Sequence, residues 1–570
     1  FVRAMVAGAA GMDVVVLGVA AEEGARPQTR EHMAIVELLG VPELVVAISK
    51  CDTVDEEWLE LVEADVDDVL RESPWAGAPR VRTSAAAPSG LDELRAELAR
   101  AGRRAQRAAE DDLARLPLDR VFTIQGTGTV VTGTLWTGAL GAGETVRILP
   151  RELKARVRGV QVHGRASERA VAGDRTAVAL TGEGSDRELL VRGATLVSSD
   201  AWRPTWMLTA RVRLLPDTTW SVAHNQRVRV HLGTAEVLAR VALLEEEAIG
   251  PGGAGWAQLR LEEPVVARGG DRLVLRSYSP VTTIGGGVVA EAVPPKRHRL
   301  TADDRVRLRT ALEGEDTARL GAVLDLAGWE GSARVELPVR TGLTPSEADA
   351  ALERLAAASE ILVSAGRAVG PEVSAEARRR VREVVAGAEQ DDPLRPAVPM
   401  ALVRSAFPEW AHVDAPDAAI AALVADGGLE AAEGGVRTPG FEVTMSTDQE
   451  RAAAELMAAL GGGGLAAPKL DELPDGLRGR QDLKALVRWL ESADRIRSVA
   501  DGLWIPTAEL DAAAERIRAE LAGRTGLGPA DFREVLPVTR RHLIPLLNYF
   551  DGVGTTRRGP DGARDVPEGG

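Results

Sequence analysis

The hydrophobic pattern of this chain changes period twice, and each change calls for a different kind of fold. In the first hundred residues, buried-strand and helix patterns alternate. Val14–Ala21, Leu44–Ile48 and Arg80–Ser84 are predicted as strands, and Thr29–Leu39, Glu56–Arg71 and Leu91–Arg104 as helices. Such alternation predicts a parallel sheet with crossover helices. From about residue 117 the pattern becomes short β-like runs divided by glycines: Val121–Ile124, Thr129–Leu135, Thr145–Leu149 and Ala155–Val162, then Thr209–Leu215 through Arg272–Arg276. Many short strands with Gly and Pro turns predict barrels or sandwiches, with a break near Asp200–Pro204. After Pro294-Pro295-Lys296 the chain turns helical and Ala-rich. A loose repeat of helices followed by a small β-like wing ends at Ile361–Val369, Leu429–Arg437, Leu503–Pro506 and Thr555–Arg558. That spacing fits tandem winged helices, the alternative being a generic helical domain.

A chain of 570 residues is too long for one core. With one cysteine, Cys51, a disulfide framework is impossible, and a reducing cytoplasmic setting is the simplest expectation. No apolar run approaches the roughly 20 residues of a membrane helix, and no membrane partner is expected. The first residue is Phe, which suggests a fragment. A formal charge of −16 argues against attraction of the whole chain to nucleic acid, though not against a local basic patch.

The nucleotide signal is Ser49-Lys50-Cys51-Asp52, placed at the carboxyl end of a predicted strand, where open α/β sheets bind ligands. Asp52 can accept two hydrogen bonds from the adjacent N–H and NH2 of guanine, and the Lys50 stem can pack on the base. Thr83-Ser84-Ala85 ends the next strand, and its backbone N–H groups can donate to a ring carbonyl. Lys-x-Asp alone is weak. Its position, with Ser84 and Ala85 following the next strand, makes guanine recognition the reading.

These segments resemble translational GTPases of the elongation factor Tu type. The resemblance rests on Ala20-Ala21-Glu22-Glu23-Gly24, Pro27-Gln28-Thr29-Arg30-Glu31-His32 and Ser49-Lys50-Cys51-Asp52, the last similar to the family's Asn/Thr-Lys-x-Asp motif. Serine at its first position keeps a hydroxyl and loses an amide. His32 reads as a structural helix residue. No Gly-x-x-x-x-Gly-Lys-Ser/Thr, switch threonine or Asp-x-x-Gly-His can be placed. Phe1–Gly8 resembles the helix that follows the Asp-x-x-Gly-His motif. The resemblance therefore implies a GTPase that uses GTP/GDP with Mg2+ in its full-length form. In the chain as given, no catalytic residues and no metal ligands are expected, and neither is hydrolysis.

The β region narrows the resemblance. Asp119-Arg120-Val121-Phe122-Thr123-Ile124, Gly126–Thr134 and Gly173-Asp174-Arg175 resemble the aminoacyl-tRNA-binding second domain. Arg276–Pro280 and Thr282–Gly287 resemble the third, and some 270 residues follow it. This combination is similar to the selenocysteine-specific elongation factors (SelB). The resemblance places Asp119, Arg120 and Arg175 in the aminoacyl pocket. The chemistry suits that role. A selenol ionises near neutral pH, whereas free cysteine, with a pKa of about 8.5, is mostly protonated. Two guanidiniums favour the anion, with Asp119 able to orient Arg120, and a pocket built for charge rejects neutral analogues. On residue type alone, Arg120 and Arg175 would read as rim ion pairs. His163 is a further candidate for the same pocket.

The last predicted unit carries a basic patch. Thr539 is a predicted N-cap, and Arg540, Arg541 and His542 occupy the first helical turn. Leu543, Leu546, Leu547 and Phe550 form the buried face, and Arg557 and Arg558 lie on the wing. Such a patch can grip phosphates and stack on an unpaired base, although first-turn arginines are often merely solvated and oppose the helix dipole. In the SelB family the last winged helix binds an mRNA hairpin, so the resemblance implies that role for these five residues.

The expected architecture is multidomain: a partial α/β P-loop GTPase domain (1–105), two β-barrel domains (116–200 and 204–295) and four winged helices (300–372, 373–440, 441–508 and 509–570). The resemblance implies a monomer that delivers selenocysteinyl-tRNA to the ribosome at UGA codons through the hairpin. The alternatives are another elongation or initiation factor, which the long helical array disfavours, and a winged-helix nucleic-acid-binding regulator, which the barrels disfavour.

Overall fold

A computed structural model describes residues 5, 6, 8, 11–105, 110–560 and 562–568. They fall into two compact units, Phe1–Glu376 with Trp410–Ala415, and Ala377–Glu409 with Pro416–Gly570. Most of the segment 1–8 compared above lies outside the described residues.

The first unit opens with a three-stranded parallel sheet, Val14–Ala20, Glu43–Ser49 and Arg80–Arg82 in that order. Val45, Val46 and Ile48 are fully buried, as a strand covered on both faces requires. The helix Pro27–Leu39 starts on a proline and stops at Gly40, whose φ of 68° lets its N–H reach the carbonyls of Glu37 and Val36. Asp55 caps the helix Glu56–Leu70 by accepting from Trp58 N at 2.9 Å. The third strand stops two residues short of its predicted end. Thr83 still donates to the Ile48 carbonyl, but Ser84 turns away to bridge Ser89.

The next domain is an antiparallel sheet. Its strand order is Arg115–Pro117, Thr195–Val197, Thr145–Leu149, Leu153–Val162, Arg175–Thr181, Gly128–Thr134, Arg120–Ile124. The core behind it includes Leu116, Val131, Leu140 and Val178. A closed six-stranded barrel follows, built from strands between Pro204 and Glu291. Its seam explains the run Gly285–Gly287: a Cβ on Gly285 would lie 2.3 Å from the Arg213 carbonyl oxygen.

A buried electrostatic clamp joins these barrels to the first helical unit. Arg268, 5% exposed, grips Asp112 through both terminal nitrogens (2.6 and 3.1 Å) and donates to the carbonyls of Pro338 and Leu343. Beside it, Arg115 pairs with Asp271 at 2.8 Å and lies over the rings of Trp136 and Trp202. Arg268 uses all three of its guanidinium nitrogens and Arg115 both of its terminal ones, and pairing of this kind is the condition under which a buried charge is tolerated.

The helical half repeats one plan four times. The first copy, in the first unit, ends with helix Pro345–Ala357 and the wing Leu362–Ser364/Arg367–Val369. The next three end with wings at Glu430–Ala432/Gly435–Arg437, Ile496–Ala500/Leu503–Pro506 and Arg557–Arg558/Arg564–Asp565. In the second unit one hydrophobic cluster joins Leu394 to buried residues from Ala452 to Val566.

Candidate functional site

Three groups of side chains carry chemistry. The first lies at the carboxyl ends of the parallel strands. Lys50 sits in the left-handed region (φ 59°), a conformation costly for a non-glycine residue and concentrated at functional sites. The single helical turn Cys51–Thr53 holds it there, with Thr53 Oγ1 donating to the Lys50 carbonyl at 2.8 Å. That turn also sets Asp52 outward, where it accepts a hydrogen bond from the hydroxyl of Ser84. Two residues distant in sequence are thus brought together as a preformed acceptor.

Lys50 Nζ binds Glu22 at 3.0 Å; this contact raises the lysine pKa and lowers that of the glutamate. Ser49 Oγ donates to the Val19 carbonyl at 3.4 Å, so the serine ties two strand ends together. The expectation that all three backbone N–H groups of Thr83–Ala85 face a ligand is corrected. Those of Thr83 and Ser84 are spent on Ile48 and Ser89, while that of Ala85 makes no hydrogen bond within the described residues. Asp52, Ser84, Ala85 and Lys50 remain in one place at the strand ends. Among the described residues no group of three or more His, Cys, Asp or Glu converges as a metal site.

The second group lies on the outer face of the antiparallel sheet. Arg120 is opposite Thr132, and Arg175 is opposite Thr134 on the other side of the same strand. Paired residues share a face and alternate residues repeat it, so Arg120, Thr132, Thr134 and Arg175 all project outward. Asp119, largely buried, binds Arg175 and accepts from Thr132 Oγ1 at 2.7 Å. Its expected partner was Arg120. The structure instead gives Asp119 to Arg175, because the strand pairing sets those two beside each other. Arg120 is exposed and forms no ion pair among the described residues. His163 takes a left-handed φ of 51° in the turn after Leu153–Val162 and is exposed.

The third group is on the last winged helix. Arg540, Arg541 and His542 begin the helix Arg540–Gly552, and Leu543, Leu546, Leu547 and Phe550 are buried beneath it. Thr539 occupies the N-cap position. Its side chain makes no cap hydrogen bond, because its hydroxyl engages His542 Nδ1 at 3.1 Å. Arg541 is bound to Glu472 of the preceding repeat. Arg540, Arg557 and Arg558 are exposed and make no ion pair among the described residues. The one acid within 536–558, Asp551, turns inward to buried Arg564 at 2.9 Å and to Thr556 at 2.6 Å, so it does not offset the surface arginines. Between the last two helices lies a groove of about 450 Å³, lined by Pro529, Ala530, Leu543 and Ile544 and by the charged Arg533, Glu534 and Arg540. Sequence reasoning missed Glu22, Thr132, Glu472 and this groove. Glu22 and Thr132 sit inside segments already singled out. Glu472 carries no local signal at all.

Comparison with known proteins then decides the family. The model for the elongation factor Tu GTP binding domain matches residues 1–103, and that for elongation factor Tu domain 2 matches 128–197. The model for the beta-barrel domain of selenocysteine-specific elongation factor matches 209–296, and the elongation factor SelB winged-helix model matches 520–564. The selenocysteine-specific elongation factor of Desulfomicrobium baculatum is 34% identical over 98% of this chain and 88% of its own length. The chain belongs to the selenocysteine-specific elongation factors. The factor of that name from Escherichia coli (strain K12) is 35% identical, over 52% of this chain and 46% of its own. In fold, the factor is similar to the crystal structure of bacterial selenocysteine-specific elongation factor EF-Sec. The TM-score is 0.63 at 22% identity, over 99% of this chain and 88% of that one. The SelB architecture of GTPase portion, two β domains and winged helices is therefore the factor's own, and its family is one of translational GTPases.

Proposed function

We propose that this factor holds selenocysteinyl-tRNA by its charged end, binds a hairpin of selenoprotein mRNA with its last winged helix, and delivers the tRNA to the ribosome at UGA codons as a cytoplasmic monomer. The observation that carries the reading is the outer sheet face, where Asp119 holds Arg175 and leaves Arg120 without an anion. A selenolate supplies that anion. Serine supplies no charge and leaves the guanidinium unmet, which is how a site built for one ligand rejects its analogue. Asp52, Ser84, Ala85 and Lys50 are proposed to read guanine, with Ser49 bracing the strand ends beneath them. GTP with Mg2+ would add phosphate binding and charge neutralisation. The 570 residues contain no phosphate loop, and the chain as given is proposed to be inactive in hydrolysis. Arg540, Arg541, His542, Arg557 and Arg558 are proposed to contact the hairpin, with the groove beside Arg540 taking an unpaired base. The domain limits 1–105, 116–200, 204–295, 300–372, 373–440, 441–508 and 509–570 are proposed as the functional divisions.

The test is the pair Arg120→Ala and Arg175→Ala, with selenocysteinyl- and seryl-tRNA compared in filter binding. Preference for selenocysteinyl-tRNA should collapse by at least about tenfold, one lost charged contact being worth that much. Undiminished preference would remove the pocket.

A further inference from the structure

We propose that Trp136 is a positioning residue for the aminoacyl pocket, a wedge through which the first domain and the third-domain barrel fix the strand ends carrying Thr134 and Arg175, an assignment that rests on the pocket proposed above.

Strand register puts the indole next to the pocket. Thr134, opposite Arg175, is the last residue of the strand Gly128–Thr134. Leu135 follows it, fully buried, and laces the two strands together. Its N–H donates to the Asp174 carbonyl at 3.0 Å, and its carbonyl accepts from Gly173 N at 2.7 Å. Trp136 then stands two residues from Thr134, as Gly173 stands two residues from Arg175. At about 3.3 Å per residue, each is within about 7 Å of its pocket residue along the chain.

Three domains close on the ring. A Cβ on Gly11, in the lead-in to the first strand, would lie 2.5 Å from Trp136 Nε1. A Cβ on Gly233, in a turn of the third-domain barrel, would lie 2.8 Å from Trp136 Cη2. The pyrrole end of the indole therefore abuts one domain and the benzene end another. The Arg115 guanidinium lies over the ring, 4.8 Å from its centroid, and is itself held by Asp271 at 2.8 Å and the Val266 carbonyl at 3.0 Å. Trp136 N also donates to the Arg115 carbonyl at 2.8 Å, so backbone and ring are fixed to the same residue. The first domain reaches the second strand end too. A Cβ on Gly173 would lie 3.9 Å from Asp13 Oδ2, an ordinary contact distance. Residues 11–13 thus rest on both strand ends of the pocket.

The tolerances are small. A binding site has to be held within about 0.5 Å of its productive geometry. A methyl group on Gly11 falls about 1 Å short of van der Waals distance from the indole, so a strand end that yields to it moves by more than that tolerance. Arg175 then leaves the place where Asp119 holds it.

In the full chain, Trp136→Ala, Trp136→Phe, Gly11→Ala and the double variant Gly11→Ala with Trp136→Ala are compared for selenocysteinyl- and seryl-tRNA by filter binding, with melting temperature as the control for folding. Trp136→Ala should lower the preference for selenocysteinyl-tRNA by at least about fivefold, part of the tenfold that one lost charged contact is worth, and Trp136→Phe should restore most of it. Seryl-tRNA affinity should hold within about twofold, whereas a merely structural role weakens both tRNAs alike. Gly11→Ala should lower the preference in the parent and have no further effect in the Trp136→Ala background. Backbone strain from alanine at the Gly11 φ of 88° is present in both backgrounds and cancels in this cycle. Trp136→Leu serves in the cycle if Trp136→Ala does not fold. Equal weakening of both tRNAs, or a Gly11→Ala effect that persists without the indole, would overturn the role. Preference unchanged in these variants but abolished by the Arg120/Arg175 substitutions would remove the wedge and keep the pocket. Preference that survives both sets removes the pocket and the wedge with it.

Discussion

On the proposed hairpin contact, Glu472 would compete with RNA for Arg541, and removing its charge should tighten hairpin binding. Arg541 is the one member of the basic patch bound to an acid, whereas Arg540, Arg557 and Arg558 make no ion pair among the described residues. To touch a phosphate, Arg541 has to leave Glu472. The pair is exposed, and such pairs are weak. The Arg541 guanidinium also lowers the Glu472 pKa, though the larger cause is the hydrogen bond from the Lys469 backbone. Glu472→Gln keeps an oxygen for Lys469 N, which binds Glu472 at 3.0 Å, and deletes only the charge. Hairpin affinity should rise about two- to fivefold, the range of an exposed pair. In the parent background Arg541→Ala should cost less than Arg540→Ala. In the Glu472→Gln background the two should cost the same, a coupling that a double-mutant cycle reads directly. The assay is anisotropy of a labelled hairpin from the organism's own selenoprotein message at fixed KCl. If Glu472→Gln leaves affinity unchanged while Arg541→Ala costs as much as Arg540→Ala, the competition does not exist.

Two further predictions concern stability. Asp551→Ala leaves Arg564, at 4% exposure, with Asn548 as its remaining side-chain partner among the described residues, and should destabilise the last winged helix by about 3–5 kcal/mol, read by urea unfolding; a loss under about 1 kcal/mol would refute the buried pair. Burial pushes the Asp325 carboxyl up to about 6 from 3.8 as it caps the helix Pro371–Asp391. The folded state then keeps its proton to higher pH than the unfolded chain. Its contribution is fully present below about pH 4 and is lost as pH rises through 6. Asp325→Asn should therefore stabilise the protein at pH 7.5, by about 1–2 kcal/mol after discounting for partial exposure, and not at pH 4. An equal change in melting temperature at both pH values would contradict this.

Periodicity located the elements because burial imposes it. The helix Leu91–Arg104 has the predicted limits, and the four wings fall where the glycines and β-branched runs placed them. Ends were harder. The strand predicted to Ser84 stops at Arg82, since Ser84 pairs locally with Ser89, a choice set by turn geometry. Side-chain partners were hardest. Asp119 adjoins Arg120 in sequence, yet its partner is Arg175, brought alongside by strand order. Glu472 reaches Arg541 across 69 positions, and nothing local marks such a contact. Residue types at the site were legible; which charges cancel and which stay free was not.

The Arg268 clamp has a mechanical consequence. Its guanidinium touches the segment leading into the second domain at Asp112, belongs to the third-domain barrel and is seated on two carbonyls of the first winged helix. The lead-in to the second domain, the barrel and the first winged helix thus meet on a single cation. Any motion that parts that winged helix from the barrel would have to strip a buried cation of its acceptors, a costly step.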